Sequence, residues 1–115
     1  MTVQKLLKFE VTRIGFDYDG VLSSCIPAQI RAYYLATARG VEVHIITKRT
    51  IEESDEVYAM AERLHIVKEN VHFTNNGPKS PFINEFKITK FYDNQEINKI
   101  EIEANSNCKV ILILI

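Results

Sequence analysis

Asp17 and Asp19 stand one residue apart where the apolar run 11–16 meets Gly20, so two carboxylates are delivered together at the expected end of a strand. Like charges at this spacing repel, and the arrangement is costly unless a cation or a substrate uses both groups. A carboxylate can attack phosphorus to form an aspartyl phosphate, splitting one hard hydrolysis into two easier steps. A carboxyl two residues on can protonate the leaving oxygen and then activate water. Attack is therefore assigned to Asp17 and proton transfer to Asp19, with Gly20 allowing the tight backbone turn that this crowding needs.

Phosphoryl transfer also needs groups that hold the phosphate and a fixed cation. Thr47 directly follows the apolar run 41–46 and offers a hydroxyl beside the helix start expected at Thr50. Lys48 and Arg49 adjoin it as charges for substrate phosphate, against the alternative of solvated loop charges. Lys79, in the loop Gly77-Pro78-Lys79, is the candidate fixed cation, while Lys87 and Lys90 flank a strand and are expected to face solvent. Phe91-Tyr92-Asp93-Asn94 ends another strand, with Asn98 one helical turn further on. Asp93 can complete an oxygen-rich Mg²⁺ site with Asp17 and a backbone carbonyl; helix capping by Asp93 or Asn94 is the competing reading. His44, His65 and His72 are scattered and read as structural, so nothing suggests zinc.

The elements that must position these groups alternate along the chain. Strands are predicted at 11–16, 41–46, 71–73, 88–92 and 108–115. Helices are predicted from Pro27 to about Arg39, from a Thr50/Glu53 capping box to about His65, from Ser80-Pro81 to about Phe86, and from Asp93 or Asn94 to about Ala104. Tyr33, Tyr34, Leu35 and Ala38 supply the apolar surface of the first helix; Ile51, Val57, Met60, Ala61 and Leu64 form the buried stripe of the second. Strands joined through single helices imply right-handed crossovers and a mainly parallel sheet covered on both faces. The expected fold class is a doubly wound, three-layer α/β/α domain of Rossmann-like type, whose ligands gather at the carboxyl ends of the strands.

The 115 residues fit one domain spanning 1–115. Fourteen basic against fifteen acidic residues leave a formal charge of −1, so no general field draws the protein to nucleic acid or anionic membranes. Residues 1–10 do not read as a signal peptide, and the run 110–115 is too short to span a bilayer. Cys25 and Cys108 read as reduced, partly buried thiols, and a cytoplasmic protein is expected.

In this order the pieces resemble the haloacid dehalogenase (HAD) superfamily of phosphohydrolases. Its first motif looks like Ile14-Gly15-Phe16-Asp17-Tyr18-Asp19-Gly20-Val21, its second like the strand ending at Thr47, its third like Lys79, and its fourth like Asp93-Asn94 with Asn98. The resemblance covers roughly 11–115 and implies Asp17 as nucleophile, Asp19 as acid/base, and Thr47 and Lys79 as phosphate holders. It further implies Mg²⁺ held by Asp17, Asp93 and the Asp19 carbonyl, with Gly20, Asn94 and Asn98 around them. The family's fourth motif often has a second acidic residue, where this chain places Asn94 or Asn98. The intervals between motifs leave no room for a folded cap, so a small capless member is implied. An open site suits a large substrate or a second copy of the chain: a small phosphate, a nucleic-acid end and a phosphoprotein are all compatible. Two alternatives stand beside this reading. One is a catalytically weakened HAD-like binding or regulatory domain; the other is a phosphoacceptor receiver domain, which places its acceptor Asp on a later strand.

Overall fold

The β-branched runs pair as strands, and the amphipathic segments between them form the helices that cover the sheet. A computed structural model describes residues 10–114. The signal-peptide reading, which concerns 1–10, and the last residue of the predicted 108–115 strand fall essentially outside that range. The elements are β1 (Thr12–Phe16), α1 (Ile26–Thr37), β2 (Val41–Thr47), α2 (Asp55–Arg63), β3 (Val71–Phe73), α3 (Ser80–Glu85), β4 (Lys90–Asp93), α4 (Glu96–Asn105) and β5 (Lys109–Leu112).

All five strands run parallel, in the order β3-β2-β1-β4-β5. Alternation along each strand divides the apolar side chains between two cores. Val43 and Ile45 join Ile14, Phe16, Ala28, Ala32, Val57 and Met60 on the α1/α2 face. Ile46 joins Ile83, Phe91, Ile102 and Val110 on the α3/α4 face. The domain is thus the doubly wound, three-layer α/β/α fold of Rossmann-like type that the alternation implies. Its strand order differs from the 2-1-3-4-5 order of receiver domains, which removes that alternative. Strand order reverses at β1 and β4, so the crevice between their carboxyl ends is the expected ligand position. Among the described residues no helix is long and apolar enough to cross a membrane.

Several local expectations need correction. α1 buries Ala28 and Ala32, while Tyr33 and Tyr34 stay exposed, because small residues let the helix lie close on the sheet. The Thr50/Glu53 capping box forms, but it closes a separate 3₁₀ turn, Ile51–Glu53, and leaves Ile51 exposed instead of in the buried stripe. Neither Asp93 nor Asn94 is the N-cap of α4. Gln95 holds that position and Asp93 belongs to β4, although the Asp93 carboxylate accepts the Gln95 N–H at 2.9 Å. Cys25 and Cys108 are free thiols, and burial pushes Cys108 up to about 12.

His44 and His72 lie buried on the α3 face. The His44 bond holds the Glu42 carboxyl below its ordinary range, so Glu42 accepts from His44 Nε2–H at 2.6 Å. His44 Nδ1 is then left to accept from His72 Nε2–H at 2.9 Å. The His72 ring stacks on Phe82 and Phe86 of α3, with centroids 5.0 and 4.3 Å away. Burial lowers both histidines, His72 to about 4. The unfolded chain takes up these protons near pH 6.5 and the folded one only near 4 at His72, so their contribution to stability is lost as pH falls through that window. For His72 this amounts to at most about 3 kcal/mol. An NMR titration should find the His72 imidazole neutral down to about pH 4, and an inflection at 6 or above would contradict the arrangement.

Gly15 sits where β1 crosses Phe91: a Cβ there would lie 2.6 Å from the Phe91 ring. Phe91 is fully buried and cannot yield. Gly15→Ala should lower stability by about 1–3 kcal/mol in urea denaturation.

Candidate functional site

The parallel register sets the site. Phe16 pairs with Tyr92, and the Asp17 N–H donates to the Tyr92 carbonyl at 2.8 Å, so Asp17 and Asp93 emerge side by side at the switch point. Beyond β1 the chain reverses over Tyr18–Leu22, with Asp19 extended and Gly20 at φ 80°. Buried Tyr18, Val21 and Leu22 anchor this turn in the core. Gly20 is required twice, for its left-handed φ and because a Cβ there would strike the Asn94 amide.

Lys79 arrives from the opposite direction. The loop after β3 is tied to the loop after β2, since the Asn76 N–H donates to the Lys48 carbonyl at 2.8 Å and the Thr74 N–H to the Thr47 carbonyl at 2.9 Å. Asn75 and Asn76 both adopt left-handed φ and turn the chain back toward the sheet. Lys79 then stands immediately before α3, 1% exposed. Its ammonium donates to Asp17 Oδ1 at 2.8 Å and to Asp93 Oδ2 at 2.9 Å. Asn98, on α4, donates to both Asp93 oxygens at 3.3 and 3.1 Å. Burial pushes the Asp17 carboxyl up to about 6, opposed by the Lys79 ammonium and reinforced by Asp93. The cluster is one cation fixed between two carboxylates in a dry setting, where electrostatic interactions are strong.

The remaining candidates stand outside this direct cluster. Asp19 is exposed and held by Arg49, whose Nη2 donates to Oδ1 at 2.8 Å and Nε to Oδ2 at 3.0 Å. Arg49 is itself anchored by the Glu53 carbonyl at 3.1 Å and by the Tyr18 ring at 5.0 Å. It grips Asp19, a contact distinct from the phosphate contact suggested by its place beside Thr47. Thr47 ends β2 fully buried, its hydroxyl oxygen accepting the Arg49 N–H at 3.3 Å. Lys48 is exposed. Sequence reasoning missed Glu101 of α4, whose carboxylate accepts the backbone N–H of Lys79 at 2.9 Å and of Ser80 at 3.1 Å. Its one signal was an acidic residue three positions after Asn98, on the same helical face.

The donors suit a hard divalent cation. Asp17 and Asp93 offer carboxylate oxygens, and Asn94 Oδ1 is, among the described residues, the buried side-chain polar atom that has no hydrogen-bond partner. An orphaned oxygen beside Gly20 is unexplained by the fold alone. Among the described residues no group of three His, Cys, Asp or Glu side chains is placed to hold a metal ion. Two carboxylates, bridged by the Lys79 ammonium, are what these residues would offer a cation.

The fold and site define a Rossmann-like α/β domain carrying an Asp-Lys-Asp cluster at its topological switch point. Compared with protein-family models, curated proteins and solved structures, the chain matches none.

Removing the cation should expose what it balances. Lys79→Met leaves two buried carboxyls without their partner and should cost about 3–5 kcal/mol in urea denaturation, with Asp93→Asn added to it recovering part of the loss.

Proposed function

We propose that the chain is a HAD-like, Mg²⁺-dependent phosphohydrolase: a phosphomonoesterase acting through an aspartyl phosphate. The observation that carries the reading is the Lys79 ammonium buried between Asp17 and Asp93, three groups from separate segments converging where parallel sheets bind ligands. A buried, perturbed carboxyl with a specific charge partner in a crevice is a mark of functional chemistry.

Lys79 engages Oδ1 of Asp17, so attack would come from Oδ2. As the Asp17 oxygen bonds to phosphorus, the bond to the leaving oxygen breaks, and that oxygen takes the Asp19 proton. Asp19 then removes a proton from water, the water oxygen attacks phosphorus, and the bond to Asp17 breaks, returning the carboxylate and releasing inorganic phosphate. Lys79 holds the nucleophile and balances charge on the phosphoryl oxygens; the Thr47 hydroxyl and, at the rim, Lys48 are the further phosphate contacts. Arg49 must release Asp19 before that carboxyl can meet a leaving group. Asp17, Asp93 and the Asp19 carbonyl would hold Mg²⁺, with Asn94 as a neutral neighbour, and the ion when bound would neutralise phosphate charge.

Between Asp17 and Lys79 every segment of the described chain belongs to the sheet, its helices or short turns, and the proposed site is accordingly taken as open. A phosphorylated substrate large enough to cover the crevice, whether a nucleic-acid end or a phosphoprotein, fits this openness, as does a small phosphate under a second copy of the chain. Free Cys25 and Cys108 fit a cytoplasmic setting.

The amide at Asn94, in place of a second acid, favours the second reading: a binding or regulatory domain that retains the scaffold. A panel of phosphomonoesters with Mg²⁺ separates the two. The enzyme releases phosphate, and Asp17→Asn abolishes release while leaving the circular dichroism spectrum intact; binding without turnover supports the regulatory domain, and unchanged turnover in Asp17→Asn sinks the mechanism.

A further inference from the structure

We infer that Glu101 is a positioning residue for Lys79, and that one face of α4 sets both halves of the buried cluster; the inference rests on the phosphohydrolase reading. A lysine ammonium rides on four rotatable bonds, so holding it between two carboxylates requires a fixed backbone at its origin. α3 is only six residues long, and Lys79, at its N-cap position, makes no side-chain capping bond. The cap comes from another helix. Glu101 Oε1 accepts the N–H of Lys79 at 2.9 Å and that of Ser80 at 3.1 Å, satisfying two donors with one charged oxygen.

The same face grips α3 at its other end. Asn84 donates to the Asn105 carbonyl at 2.9 Å, and Asn105 Nδ2 donates to Glu101 Oε2 at 3.3 Å and to the Glu101 carbonyl at 2.8 Å. Asn98, a turn before Glu101, holds the Asp93 carboxylate. Asn98, Glu101 and Asn105 are spaced three and four residues apart and therefore share a side of α4. That side fixes the carboxylate at Asp93 and the backbone from which its cation reaches. Displacing Lys79 by an ångström would move its ammonium off both partners, and misplacement on that scale costs rate steeply.

Glu101→Gln keeps an acceptor oxygen at the same reach, Glu101→Asp draws it back by one methylene, and Glu101→Ala removes it. With p-nitrophenyl phosphate and Mg²⁺, the Asp and Ala variants should lose about 10- to 100-fold in kcat with little change in KM, and Gln, which keeps one acceptor but loses the charge and the Asn105 bond, should lose less than either. Amide hydrogen exchange at Lys79 and Ser80 should quicken more in Asp and Ala than in Gln. A role confined to stability would lower the melting temperature and leave kcat unchanged below it. With an active wild type, unchanged kcat in the Asp variant, which keeps the charge and is the milder change should Ala not fold, would overturn the inference. If wild type hydrolyses no phosphomonoester, the phosphohydrolase reading fails by itself. The positioning of Lys79 is then decided by amide exchange and the ¹⁵Nζ resonance of Lys79: shifts in the Asp variant uphold it and an unaltered spectrum refutes it.

Discussion

An ammonium group buried between two carboxylates is the constraint around which this domain is arranged. Lys79 Nζ lies within hydrogen-bond distance of Asp17 and Asp93, and all three residues are almost wholly shielded from water. Taking such charges out of water costs several kcal/mol apiece, which their attraction offsets only when the geometry is good and the remaining oxygens are satisfied. The surrounding structure meets those conditions. The β1–β4 register sets the carboxylates side by side, Asn98 and the Gln95 N–H complete the bonding of Asp93, and Glu101 anchors the backbone of Lys79.

The same constraint explains why the polar cluster sits where it does. A parallel sheet with helices on both faces has no wet face, so charged groups can gather only at its ends. The carboxyl ends of β1 and β4 are where ligands are expected to gather, because the connections leave in opposite directions there. Asp17, with its carboxyl raised by burial, lies buried against Lys79 at that end, while Asp19 lies exposed in the fork of Arg49. Two carboxylates that are neighbours in the chain therefore occupy unlike surroundings.

A second polar network, Glu42-His44-His72, with both histidines buried and Glu42 at the rim, runs beneath α3, where His72 stacks on Phe82 and Phe86. It lies on the helix whose start carries Lys79, so that helix is held from below by aromatic stacking and from the side by α4. Short helices need such support, since one or two turns form too few internal hydrogen bonds to persist alone.

The alternation of β-branched runs with amphipathic segments was enough to specify an α/β fold with a parallel sheet, because burial of both sheet faces leaves few other ways to connect such elements. Asp17, Lys79 and Asp93 were legible as candidates, since the two aspartates end apolar runs and Lys79 sits in the Gly77-Pro78 loop before a short helix. What the chain pattern could not carry was distance between segments remote in sequence. That Lys79 bridges Asp17 and Asp93, that Arg49 takes Asp19, and that Glu101 caps α3 all depend on register and helix packing. Exposure was misjudged at Tyr33, Tyr34 and Ile51 for the same reason: periodicity marks apolar residues, but only close packing decides which side of a helix is covered. Local sequence determined which groups were available and on which elements, and the tertiary fold alone decided which of them meet, because meeting requires two chain segments to share one low-dielectric space.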